Sequence, residues 1–183
     1  LLSKKSKKMK TAFLCFFPVI PTNMGSAEVI RSLFLAWPGD KKIFQISHLK
    51  INQKKNLKSI FILYEKPILK LICIPIIIFK ILNYLKGSDK KLVVIEGPSW
   101  IGYSFLSLIL IKLFSPKTKV IYHSHSIEYE VRKMMSSHLI AIFSKLLEKF
   151  VFKYSDLSTS VSKIEINKIN KLYKLKCVEL RNG

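Results

Sequence analysis

From Thr11 to Phe17 the chain runs through apolar side chains with no charge, the pattern of a strand buried on both faces of a parallel sheet. Pro18 and Pro21 break it, Thr22 to Ser26 form a loop, and Gly25-Ser26-Ala27-Glu28 open a helix carrying Val29, Ile30, Leu33 and Phe34 on its apolar face. Trp37 to Asp40 punctuate. Lys42 to Ser47 then alternate as a second strand, and the basic stretch Leu49 to Lys58 reads as a loop or a solvated helix start. Residues 60–86 are the most apolar part of the chain. Glu65, Lys66, Lys70 and Lys80 interrupt it, Pro67 and Pro75 fall inside it, and its longest uncharged run is Leu71 to Phe79. A bilayer span needs roughly 20 apolar residues. The pattern therefore predicts a helix packed on the sheet, kinked at Pro75 and ending near Gly87. A spanning segment, or a membrane-facing surface with lysines at its margin, is the alternative.

Lys91 to Glu96 is the next strand, Trp100 to Phe114 a helix rich in Leu and Ile, and Lys119 to Tyr122 a further strand. Leu139 to Tyr154 has the clearest amphipathic pattern. Leu139, Ile142, Phe143, Leu146, Phe150 and Val151 form one stripe, with Ser144, Lys145, Glu148, Lys149 and Lys153 mainly outside it. Asp156 to Val161 is a short strand, Ser162 with Glu165 is a capping box, and Cys177 to Leu180 is a last strand. Strand and helix alternate with no internal repeat. That rhythm predicts an α/β fold, a doubly wound parallel sheet with helices on both faces.

Length and composition narrow the reading. The 183 residues suit one domain, and 49% hydrophobic residues supply a sizeable core. Residues 1–8 precede Met9 and read as a disordered basic tail, leaving 9–183 as the domain. A signal peptide is rejected because the following apolar run stops at Pro18 with no small-residue cleavage site. Net charge is +21, from 32 basic residues against 11 acidic ones. Only three of the basic residues are arginine and the lysines are scattered, so an anionic substrate or membrane surface fits better than nucleic acid. Cys15, Cys73 and Cys177 sit far apart in apolar runs and read as buried free thiols of a reducing cytoplasm.

The chemistry gathers after Tyr122, in His123-Ser124-His125-Ser126-Ile127-Glu128-Tyr129-Glu130-Val131-Arg132. In open α/β sheets ligands bind beyond the carboxyl ends of the strands. Extended backbone past Tyr122 would put His123 and His125 on one side. The other strand-end candidates are the Gly25-Ser26 loop, where a helix N-terminus faces an anion, the turn Glu96-Gly97-Pro98-Ser99, and Ser160-Val161-Ser162. His48, at the end of the second strand, reads as a surface histidine. Histidine can hydrogen-bond sugar hydroxyls and trade a proton, glutamate can act as a base, and arginine can grip a phosphate. A dinucleotide fingerprint, a Walker loop and a GxSxG elbow are all missing, and zinc at His123 and His125 lacks a spaced third ligand.

Four segments together, GSAE at the first helix, YHSHSIEYEVR after a central strand, LLEKFVFKYSDLSTSVS, and the closing RNG, resemble the N-terminal domain of retaining glycosyltransferases of family four. The resemblance runs from about Met9 to Gly183. It implies a Rossmann-like domain, one half of a GT-B architecture, acting on a nucleotide-sugar and a glycan or lipid-linked acceptor in cell-envelope synthesis. No metal or prosthetic group is implied. Gly25 and Ser26 would lie near the donor phosphates, His123 or His125 near the transferred sugar, and Glu128 and Arg132 on the acceptor side. Glu96, Ser99 and Ser162 complete the expected rim. The first loop has Gly-Ser where many relatives have paired glycines. The donor-binding C-terminal domain of such enzymes is expected to be absent here, leaving half an active site that crosses over near Asn182-Gly183. The expected location is cytoplasmic, with peripheral contact to an anionic membrane face.

Overall fold

The computed structural model describes residues 9–20, 25–47, 56–62, 66–97 and 100–180. In chain order these form β1 (Met9–Cys15), α1 (Gly25–Ala36), β2 (Asp40–Ser47), β3 (Leu57–Phe61), α2 (Pro67–Leu85), β4 (Lys90–Glu96) and α3 (Ile101–Phe114). There follow β5 (Lys119–Ser124), α4 (Glu128–Met135), α5 (His138–Tyr154), β6 (Leu157–Ser160), α6 (Lys163–Tyr173) and β7 (Val178–Glu179). The described strands make one sheet in the order β3-β2-β1-β4-β5-β6-β7, and every pairing is parallel.

Alternation along each strand builds two cores. Ala12, Leu14, Phe16, Val93, Ile95, Val120 and Tyr122 point to one face, where α2, α3, α5 and α6 bury Ile77, Ile81, Leu108, Ile111, Val151, Phe152 and Ile169 against them. Phe13, Cys15, Ile43 and Val94 point to the other, beneath Ala27, Ile30 and Phe34 of α1. Helices thus flank both faces of a doubly wound sheet, as the apolar runs predict. Strand β4 lies at the centre with β1 beside it, and Ala12 to Phe16 are wholly buried.

Two sequence expectations are corrected. The helix expected from residue 60 starts at Pro67, and the residues before it include the edge strand β3. Leu57 and Ser59 are buried on alternate positions and pair with Ile43 and Gln45 of β2, and proline suits a first helical turn, where its missing N–H costs nothing. Helix α2 continues through Pro75 to Leu85. The segment from Glu128 forms an eight-residue helix, α4. Most informative is α5. Its inward face is Ala141, Ser144, Glu148, Val151 and Phe152, whereas Leu139, Phe143 and Leu146 of the expected stripe are 78%, 53% and 61% exposed. Small residues at 141 and 144 let α5 approach its neighbours closely, and Glu148 has partners that make its burial tolerable. His48, Ser99, the tail 1–8 and Asn182-Gly183 lie outside the described residues.

Candidate active site at the carboxyl rim

Parallel strands bring their carboxyl ends to one rim, so Cys15, Glu96, Ser124 and Ser160 all terminate there. The register sets Glu96 directly opposite His123, and the Gly97 N–H donates to the His123 carbonyl at 2.9 Å. Glu96 follows Val94, and His123 follows Ile121, by two residues. Both therefore lie on the α1 side of the sheet. Close approach at this bend requires glycine at 97, because a Cβ there would stand 2.7 Å from the Tyr122 hydroxyl and 2.9 Å from the His123 carbonyl.

Three expected residues are brought together here. His125 Nε2 and Glu96 Oε2 are 2.9 Å apart, and the two imidazoles meet edge to face at 4.6 Å. His123 is buried and its Nδ1 lies 2.8 Å from Thr159 Oγ1 of β6. The Thr159 hydroxyl also faces the Tyr122 carbonyl at 3.5 Å. If its proton points there, Nδ1–H is the donor and Nε2 carries a lone pair. That Nε2 and Glu96 Oε1 are buried and have no hydrogen-bond partner. Burial pushes the His123 pKa below its ordinary value; the Glu96 carboxylate works against this and His125 adds to it. A buried imidazole thus stays neutral and accepting. Burial, then the Glu96 charge, raises the Cys15 thiol well above its usual range, so Cys15 is an inert wall of the site. One ligand atom each from Glu96, His123 and His125 lies within 4.8 Å of the others, the donor set that could hold a divalent ion.

Glu128 and Arg132 are placed differently. Arg132 Nε donates to Glu128 Oε1 at 2.5 Å, one turn apart on α4. Glu128 is buried, and its charge adds to the burial that raises the pKa of both Tyr122 and Glu148. Gly25 and Ser26 open α1 at the rim. Gly25 is exposed, and a Cβ there would meet nothing within 4 Å, so local packing does not demand glycine. The Ser162 hydroxyl accepts the Glu165 N–H at 3.2 Å as the cap of α6, while the Glu165 carboxylate accepts from Ser160 Oγ at 2.8 Å.

Three residues that sequence reasoning missed support this geometry. Thr159 orients His123. Gln45 of β2 accepts from the Val19 and Ile20 N–H groups and donates to the Ile20 carbonyl, clamping the chain after β1. Glu148 of α5 accepts the Glu128 N–H at 2.8 Å, the Tyr129 N–H at 3.1 Å and the Tyr173 hydroxyl, so a carboxylate from a neighbouring helix caps α4. The available signal was its position in line with Ala141, Ser144 and Val151.

No family model matches the sequence, and none of the curated proteins matches it significantly. Among solved structures, an alpha-glucosyltransferase in complex with UDP-glucose and DNA containing an abasic site overlays with a TM-score of 0.54 and 11% identity. The match covers 96% of this chain and 43% of that one, so the chain spans less than half the length of the enzyme it resembles. A nucleoside-diphosphate-sugar epimerase from Agrobacterium tumefaciens gives a TM-score of 0.41 at 6% identity, over 87% of this chain and 55% of that one. The first likeness shows the fold, an α/β Rossmann-like parallel sheet shared with a glucosyltransferase.

Proposed function

We propose that the chain is the acceptor-side domain of a sugar transferase. The enzyme moves a sugar from a nucleotide-sugar to a glycan or lipid-linked acceptor on the cytoplasmic side of a membrane, with retention of configuration and without a metal. The observation that carries this reading is the pair of buried acceptors, His123 Nε2 and Glu96 Oε1, left without partners at the rim of a parallel sheet. An unmet buried acceptor costs about 1–3 kcal/mol. Two of them side by side favour a ligand rich in donor hydroxyls, which is what a sugar offers. The glucosyltransferase with the same fold was solved with UDP-glucose, which supports a donor of that class.

The geometry supports a role for each residue. His125, whose side chain is 9% exposed, connects the buried pair to the rim and is hydrogen-bonded to Glu96, so it is the group best placed to face the reacting sugar. Thr159, accepting from Nδ1–H, would orient His123 with Nε2 as the acceptor, while burial lowers its pKa. The N-terminus of α1, at Gly25-Ser26, offers backbone N–H groups to donor phosphates. Arg132, held by Glu128 through Nε, keeps its two terminal guanidinium nitrogens for contacts to the acceptor.

The test supplies membranes from cells expressing the complete reading frame with a panel of labelled nucleotide-sugars. Label should enter a glycan or lipid fraction, with the anomeric configuration of the donor. His125→Ala and Glu96→Gln should lower transfer on the order of 100-fold while circular dichroism stays native. Transfer unchanged in both variants, or no incorporation from any donor, would end the proposal.

A further inference from the structure

The helix layer opposite α1 presents an outer surface unlike that of a water-facing domain. On α2, Ile74, Ile77, Ile78, Ile81 and Leu85 are buried against the sheet, yet Ile68, Ile72, Ile76 and Phe79 on the opposite side are 50–73% exposed. Their spacing of three to four residues makes them one stripe. On α5 the exposed stripe is Leu139, Ile142, Phe143 and Leu146. Helix α3 packs between α2 and α5. It is bridged to α5 by an apolar groove of about 440 Å³ lined by Ile109, Leu113, Phe150 and Tyr154 among others, so the two stripes belong to one continuous outer face. Monomeric domains rarely leave apolar surface of this extent in water.

The charges on that face are of one sign. Helices α2, α3 and α5 contain a single carboxylate, Glu148, which is fully buried and engaged in capping α4. Lysine supplies the rest, including Lys80, Lys149 and Lys153, all exposed. A second copy of this chain would set lysine against lysine. Insertion of α2 as a span would tear its five buried side chains from the core.

We propose that the outward side of α2, α3 and α5 docks on an anionic lipid bilayer. The isoleucine and phenylalanine side chains enter the interfacial region, and the lysines meet headgroup phosphates. The N-terminal ends of these helices lie at the sheet's carboxyl rim, so docking holds the candidate site beside the bilayer surface. The inference rests on the helix layer alone, and its test contains no sugar or nucleotide, so it stands or falls separately from sugar transfer.

The purified 183-residue chain is sedimented with phosphatidylcholine vesicles and with vesicles one-third phosphatidylglycerol. Binding should be roughly tenfold tighter to the anionic vesicles and should weaken as salt rises from about 0.1 to 0.5 M. Ile72→Glu and Phe143→Glu replace exposed side chains, so both should fold with an unchanged urea midpoint, yet each should weaken vesicle binding roughly tenfold or more. Lys149→Glu combined with Lys153→Glu should remove most of the preference for anionic lipid. Equal binding to both vesicle types, or undiminished binding by the folded Ile72→Glu and Phe143→Glu variants, overturns the proposal. So does bound protein that resists carbonate extraction, or self-association in place of vesicle binding.

Discussion

Two physical effects pull the Glu148 carboxyl in opposite directions, and replacing it with glutamine shows which wins. Its two oxygens accept two backbone N–H groups and the Tyr173 hydroxyl, an arrangement that favours the ionised form. Burial acts the other way and is the larger effect, lifting the pKa from 4.5 to about 7. A carboxyl whose folded pKa lies above its unfolded one keeps its proton longer in the fold. Stability is then full below pH 4.5 and declines as pH rises toward 7. At 1.36 kcal/mol per pH unit, the rise from 4.5 to about 7 makes that decline on the order of 3 kcal/mol. Glu148→Gln removes this pH dependence. It also leaves at least one α4 N–H facing an amide NH₂, at a cost of about 1–3 kcal/mol. The variant should therefore be less stable than the parent near pH 4.5, with the gap closing or reversing above pH 7.

The assay is urea unfolding of both proteins at several pH values between 4.5 and 8, read as the difference in stability. His123 contributes a slope of the opposite sign, because its folded pKa is lowered and its contribution is lost as pH falls below 6.5. It is common to both proteins and cancels in the difference. Two outcomes refute the reasoning. Parallel curves would mean that Glu148 does not titrate in this window. A gap that widens with pH would mean that the three donors outweigh burial and the carboxylate is ionised throughout.

Thr159→Val should leave His123 Nδ1 without its partner, lower stability by about 1–3 kcal/mol and change the imidazole ¹⁵N shifts, which Thr159→Ser should preserve; unchanged shifts in the valine variant contradict the tautomer assignment. Gly97→Ala forces a methyl against Tyr122 and the His123 carbonyl and should cost about 1–3 kcal/mol by urea unfolding, with only partial recovery in Tyr122→Phe because the carbonyl clash remains. Asp156 is raised by burial but brought down from 3.8 to about 2 by Lys112, Lys119 and the Val120 N–H, so its contribution is present above pH 3.8 and lost as pH falls toward 2. Asp156→Asn should flatten that part of the acid limb by about 1 kcal/mol, and an unaltered limb would remove the Asp156 cluster from the account. Transfer by the complete enzyme should survive EDTA; loss restored by added zinc would reassign Glu96, His123 and His125 as metal ligands.

The sheet was legible wherever a strand is buried on both faces, because nothing but apolar residues survives there. The buried runs Thr11 to Cys15 and Val93 to Ile95 therefore read as strands from pattern alone. The edge strand β3 was not legible. Only Leu57 and Ser59 of its five residues are fully buried, and lysines on either side dilute the alternation. At the site, His123, His125 and Glu96 stood out as polar residues ending apolar strands. The pairing of Glu96 with His125 depends on β4 lying beside β5, a fact of register that no local pattern carries. Thr159 hid for the same reason, one hydroxyl among Ser158 and Ser160 in a strand whose neighbour decides which of them meets the imidazole.

Helix α5 failed differently, and the failure is instructive. An apolar stripe at helical spacing identifies the side of a helix that leaves water, but not what it leaves water for. Ala141, Ser144 and Val151 pack inward because small side chains permit close approach, and Glu148 joins them because its oxygens meet three donors. Leu139, Phe143 and Leu146 are then free to face outward. A helix that buries its small and polar side while displaying its large apolar one has two interfaces to satisfy. The sheet accounts for the first, and the proposed bilayer contact accounts for the second.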